Sequence, residues 1–422
     1  MRSLILAGTA MTAVAAGTTG VLAADTAAVL TNYSNIAEAK YQDSLATAKD
    51  LQSAIETLLA APSAEALEAA RTAWLAARVP YQQSEVFRFG NAIVDDWEGK
   101  VNAWPLDEGL IDYVSTSYGG PSDENALAAL NVVANPSFEL SGKTIDASAI
   151  TPALLEGSLH EADGVEANVA TGYHAIEFLL WGQDLYGTEH GAGMRSWTDY
   201  ASGDACTNDN CDRRGDYLKA ATDLLVTDLD WMAAQWAETG DARTALLGDQ
   251  SAGIVAMLTG MGSLSYGEQA GERMRLGLML NDPEEEHDCF SDNTHNSHFY
   301  DGKGVQNVYL GEYTRVTGEV VSGASLSDLV AAVNPDLDNE MRGKLSVTMD
   351  ALGALKTAGD TGFSYDQMLA QGNVEGEALI MGGINGLIDQ TRSIERVVTA
   401  LKLDGVSIEG SDSLDNPTAV FQ

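Results

Sequence analysis

Apolar residues recur at helical spacing through most of the chain. Over residues 33–59 and 64–89 the sequence is rich in Ala, Leu, Glu, Gln and Lys, with apolar positions three and four apart. This pattern predicts an antiparallel helix pair that turns at Ala61-Pro62, with Ser63 as the N-cap of the second helix. The same period returns over residues 165–181, 217–236, 243–259, 267–280, 326–333, 338–357 and 376–403. Two stretches interrupt it. Residues 90–151 turn to Gly, Pro, Asn and aromatics and read as a long ordered loop with a small hairpin around 138–145; residues 281–311 carry a dense polar cluster. Strand-like alternation is scarce, so the expected class is all-α, built as two helical-bundle lobes over residues 25–205 and 206–422.

The N-terminus adds a targeting signal. Residues 1–24 combine one early positive charge, a short apolar run broken by Gly17-Thr18-Thr19-Gly20, and small residues before a cut after Ala23 or Ala24. That is the pattern of a secretory signal peptide rather than a membrane span, and it predicts a periplasmic or secreted mature chain with no transmembrane segment. The charge balance then narrows the partners. With 62 acidic against 23 basic residues and no basic patch, nucleic acid and anionic membranes would be repelled. In an exported protein, Cys206 and Cys211 across a polar turn suit a local disulfide that leaves Cys289 as the odd thiol; pairing of Cys289 with either one is the rival.

All six histidines fall between His160 and His298. Within Gly172-Tyr173-His174-Ala175-Ile176-Glu177, His174 and Glu177 stand three apart, on one helix face and near enough to share an ion. Their neighbours are apolar, so burial would require pairing or a metal. A His–Glu hydrogen bond buttressing a core explains the isolated pair at least as well. A second helix supplies Trp74, Arg78, Tyr81 and Glu85 at offsets of four, seven and eleven, again on one face, with Pro80 as a potential kink. A solvated face is the bland alternative. The first long loop adds Trp104 and Asp107, and the second adds Asp292, His295 and His298, which would bind metal from a helix but in a loop read more simply as polar surface.

Taken together, these segments resemble the imelysin-like family and, within it, the iron-regulated protein A group. The resemblance rests on Gly172, His174 and Glu177 with the following Phe178-Leu179-Leu180-Trp181-Gly182-Gln183-Asp184, on the Trp74-Arg78-Tyr81-Glu85 helix, on Trp104-Pro105-Leu106-Asp107, and on the stretch from Ser291-Asp292-Asn293-Thr294-His295 to Gly311. It implies two helical halves, with an old duplication as one origin although the C-terminal half shows no second copy of the motif, and a site near their junction. Iron uptake, periplasmic or outer-membrane uptake components as partners, and a metallopeptidase activity in some members are also implied.

Three functions follow as expectations. In the first, His174, Glu177 and Glu85 hold a metal, iron before zinc because oxygen donors outnumber the imidazole, while Arg78, Tyr81, Trp104, Asp107, Asp292 and His295 line the site. In the second, the chain is a zinc peptidase with Glu177 as its catalytic carboxylate, although no HExxH motif completes the set. In the third, Trp74, Trp97 and Trp104 form platforms of a non-catalytic carbohydrate- or protein-binding module.

Overall fold

The computed structural model describes residues 19–421 except position 124, so most of the predicted signal segment lies outside the described residues. The chain is all-α, and among the described residues two short hairpins supply the strands. Among the described residues no helix is long and apolar enough to cross a membrane.

Helix α1 (Thr19–Ala60) and helix α2 (Ala64–Gln82) form the expected antiparallel pair. The Ser63 hydroxyl caps α2 by accepting from the Ala66 amide, satisfying one donor that the helix leaves free. The helix Cys211–Trp236 packs along α1, and Tyr33, Tyr41, Phe87 and Trp236 interlock as an aromatic cluster between them. This larger core also takes Leu326, Val330, Leu337 and Val397 from the far end of the chain, so residues on both sides of Cys206 share it. A smaller core joins Met274, Leu352, Leu355, Tyr365, Met368 and Ile384, where the helices Pro335–Asp360 and Val374–Leu401 pack together.

The first irregular stretch is ordered by specific bonds. Arg213 donates to four backbone carbonyls of the loop, those of Val132, Val133, Ala147 and Ser148, at 2.7–3.0 Å. The expected hairpin is present as Ser137–Leu140 against Lys143–Asp146, with Ser141 and Gly142 both at positive φ in its two-residue turn. The expectation of a loop throughout was too simple, because α3 (Ala92–Asn102) lies inside it and buries Val94, Trp97 and Val101 at helical spacing. The expected helix over 165–181 is shorter. It spans Gly172–Trp181, since Thr171 is extended and Gly172 has φ +82°.

The second irregular stretch needs the larger correction. Residues Thr294–Leu310 form a helix whose buried positions include Thr294, His295, Ser297, His298 and Asp301. Its inward face is polar, which is why hydrophobic periodicity did not reveal it. Opposite this face, residues Leu264–Arg275 widen into a π-helical stretch that carries Gln269 and Arg273 inward. The Cys206–Cys211 disulfide forms and Cys289 is left free.

Candidate metal centre

The polar interior of the molecule is assembled from α2, α3, the Gly172–Trp181 helix and the segment before Thr294. His174 and Glu177 project from a helix on which every residue is buried. They meet as the three-residue spacing requires, with His174 Nδ1 at 3.2 Å from Glu177 Oε2. The other Glu177 oxygen accepts from both the backbone amide and the hydroxyl of Ser291, at 3.0 and 2.6 Å.

Two neighbours arrive from the preceding loop. The His287 ring lies 4.8 Å from that of His174, centroid to centroid, and Asp288 Oδ1 lies 3.9 Å from His174 Nδ1. One ligand atom from each of His174, His287 and Asp288 falls within 4.8 Å of the others. His174 Nε2 is buried and has no hydrogen-bond partner among the described residues. Unpaired buried polar atoms are uncommon and ask for an explanation.

Around this group the charges are fixed. Arg78 donates to Asp288 at 2.7 Å and to Asn102 at 2.7 Å, and its guanidinium packs over the rings of Trp74, Tyr81 and Tyr173. Asp288 also accepts from Asn293 and Ser297 at 2.7 and 2.8 Å. Burial alone would raise the Asp288 carboxyl, but Arg78 overrides it and holds the group below its ordinary value. Burial, then Arg78, brings His174 down to about 3, and burial, then Arg273, takes His287 well below the usual imidazole range. Both rings are therefore neutral near pH 7, the state that binds a metal. Glu177 is pushed up by burial and by Asp288 beside it.

The sequence-derived residues separate by position. Glu85 leaves α2, which ends at Gln82, and sits in a short 3₁₀ turn. It pairs with Arg273 at 2.6 Å and accepts from Asn102 at 3.0 Å, and Asn102 in turn lies 3.4 Å from His287. Glu85 thus belongs to an outer ring that also holds Asp301, 3.2 Å from Arg273, rather than to the His174 group. Tyr81 is buried and packs on Tyr173. The stripe Trp74-Arg78-Tyr81 is thus interior, not a solvated face.

Trp104 packs edge-on against His287 at 6.0 Å and stands between two clefts. One, of about 760 Å³, is lined by Asp107, Glu108, Gln183, Asp184 and Cys289; the other, of about 590 Å³, is lined by Glu98, Asn102, Arg273 and His287. Asp107 accepts from Tyr118 and Asn125, which line the first cleft with it. His295 pairs with Asp360 at 3.2 Å, away from His174. His298 is buried behind it, and the expected polar surface at these two histidines is instead helix interior. Asp292 lies in a second group with Asp184 and Asp366. His287, Asn102 and Arg273 were not singled out from the sequence, and Asp288 stood out only as the start of the polar loop stretch that could deliver ligands. The adjacent His287-Asp288 pair inside the polar stretch was the available signal.

The imelysin family model matches residues 37–394. The chain belongs to the imelysin family. It is 42% identical over 67 residues to iron-regulated protein A of Synechococcus elongatus, a match spanning 16% of this chain and 19% of that protein. Two crystal structures share the fold. A candidate iron-regulated protein A precursor from Parabacteroides distasonis aligns with TM-score 0.65 at 19% identity, covering 90% of this chain and 95% of that one. An imelysin-like protein from Psychrobacter arcticum aligns with TM-score 0.57 at 17% identity, covering 90% and 96%. The resemblance read from the sequence motifs is therefore shown at the level of family and fold.

Proposed function

We propose that this imelysin-family chain binds a transition-metal ion, iron first, through His174, His287 and Asp288, with Glu177 orienting the His174 ring. The observation that carries the reading is the buried His174 ring, whose Nε2 has no partner among the described residues and which groups with two further donor side chains. With His174 Nδ1–H donating a hydrogen bond to Glu177, Nε2 presents its lone pair, the arrangement by which a carboxylate behind a histidine fixes the ligand tautomer. Arg78 orients Asp288 and tempers its charge. Two imidazoles and a carboxylate suit ferrous iron. The iron-regulated name of the Synechococcus relative supports the same metal. On this reading the chain works after export, in the periplasm or outside the cell, and hands iron to or receives it from uptake components there.

The same His, His and carboxylate set would also hold zinc, and Glu177 beside it would be the general base of a peptidase. The hydrogen bonds favour an orienting role over a basic one, because Ser291 already occupies one Glu177 oxygen and His174 Nδ1 faces the other. The test is anaerobic titration of chelator-treated protein with ferrous iron. One equivalent should bind to the wild type and none to His174→Ala or His287→Ala. Unchanged binding in both variants would remove the site, whereas cleavage of unstructured peptides that needs zinc and Glu177 would replace this reading with the peptidase one.

A further inference from the structure

A second group of carboxylates converges from three distant segments. Asp184 follows the Gly172–Trp181 helix, Asp292 precedes the Thr294–Leu310 helix, and Asp366 opens the short helix Tyr365–Leu369 over the smaller core. One oxygen from each lies within 4.8 Å of the others. Like charges this close repel unless they are neutralised.

The protein's own cations do not neutralise them. In the neighbouring interior, Glu85, Asp301 and Asp288 are each paired with Arg273 or Arg78. Among the described residues, Asp184, Asp292 and Asp366 form no ion pair with Lys or Arg, and the charges that act on them are mostly other carboxylates, with His190 near Asp366. Burial, then neighbouring carboxylates, pushes Asp292 up to about 7, and burial first of all pushes Asp184 up to about 6.

An independent observation points to a missing ligand. Asp366 is 1% exposed and neither of its carboxylate oxygens has a hydrogen-bond partner among the described residues. Ser364 and the amides of Asp366 and Gln367 favour its charged form from nearby, but without bonding geometry, and burial outweighs them. Glu286, also 1% exposed, likewise has no hydrogen-bond partner among the described residues for either carboxylate oxygen, the Thr294 hydroxyl standing near it without bonding geometry, and Asp366, Asp292 and Asp184 are among the charged groups around it. Two unpaired buried oxygens within the three-carboxylate cluster, on Asp366, and two more on Glu286 leave polar atoms desolvated without a hydrogen bond to compensate. Asp184 lines the 760 Å³ cleft, which gives an ion a route in from solvent.

We propose that Asp184, Asp292 and Asp366, backed by Glu286, form a site for a hard divalent cation of the calcium type, separate from the histidine centre. All the donors are carboxylate oxygens, the set that calcium takes at about 2.3–2.6 Å, and no imidazole or thiolate enters the group. The ion would tie the helix that carries His174 and Glu177 to the smaller core. It would also hold the Ser291-Asp292 segment, whose Ser291 bonds Glu177.

The experiment is calorimetric titration of the chelator-treated full chain with Ca²⁺ up to about 1 mM, the weak end of protein calcium sites. Thermal unfolding is followed with and without Ca²⁺. The wild type should bind one equivalent and melt at a higher temperature with it. His174→Ala should do the same, which separates this site from the histidine centre. Asp184→Asn/Asp366→Asn should bind none, and in chelator it should melt no lower than the wild type, because it relieves repulsion. The proposal is overturned by a wild type that takes up no Ca²⁺, or by a folded double variant that still binds one equivalent.

Discussion

His298 shows what burial does to a side chain that the surrounding structure leaves unpaired. Neither ring nitrogen has a hydrogen-bond partner among the described residues, and the ring packs on Tyr365 at 5.1 Å. Burial, with Arg273 next, brings its pKa down to about 3. The unfolded chain therefore binds a proton that the folded chain refuses at every pH between about 3 and 6.5, so this residue's contribution falls as pH drops through that window. From pH 7.5 to pH 5 the loss should reach about 2 kcal/mol. His298→Phe has no such linkage, so in urea unfolding its stability relative to the wild type should improve by that amount on acidification; an offset independent of pH would contradict the assignment. At this scale the sequence was partly legible. The His174–Glu177 pair follows from helical spacing, whereas the closeness of His287 and Asp288 depends on a tertiary approach between segments more than a hundred positions apart.

Most long elements built on apolar stripes were read well, short α3 among Gly and Pro being the exception, and those built on polar interiors were not. Helices α1 and α2 and the helix Leu326–Val333 bury apolar positions at the expected period. The Thr294–Leu310 helix buries His, Ser and Asp toward the site, so its period is invisible to a hydrophobicity pattern. Glu85 was misassigned to α2 for a related reason, since a further turn continues the spacing while the backbone changes to 3₁₀. Gly172 sets where the site helix begins. Its φ is +82°, and a Cβ there would stand 2.4 Å from the Val101 carbonyl oxygen of α3. Gly172→Ala therefore combines backbone strain of about 1–3 kcal/mol with a clash against main chain that cannot rotate away. It should lower unfolding stability by at least about 2 kcal/mol and displace His174 with the helix start, seen as weakened ferrous-iron binding in the variant that remains folded. Full stability in Gly172→Ala would show that α3 can withdraw.

Across the whole molecule the uneven balance of charge sets how the fold responds to its surroundings. The sequence carries a formal net charge of −39 at pH 7, while the folded interior consumes arginines in buried pairs such as Arg78–Asp288, Arg195–Asp112 and Arg214–Asp112. Those cations balance interior carboxylates and leave the excess on the surface, where it repels itself and disfavours the compact state. The repulsion is long-ranged at low salt, with a screening length of about 30 Å at 0.01 M against about 10 Å at 0.1 M. The melting temperature should thus climb by several degrees between these two ionic strengths, and sodium chloride and choline chloride should act alike, because screening does not distinguish monovalent cations. Calcium chloride added at constant ionic strength separates the general effect from the specific one. Any further rise must come from ions held at particular oxygens, and it should vanish when Asp184 and Asp366 are both replaced by Asn. Should choline fail where sodium succeeds, the stabilisation would lie in site binding of sodium, and surface repulsion would not be what limits the fold at low salt.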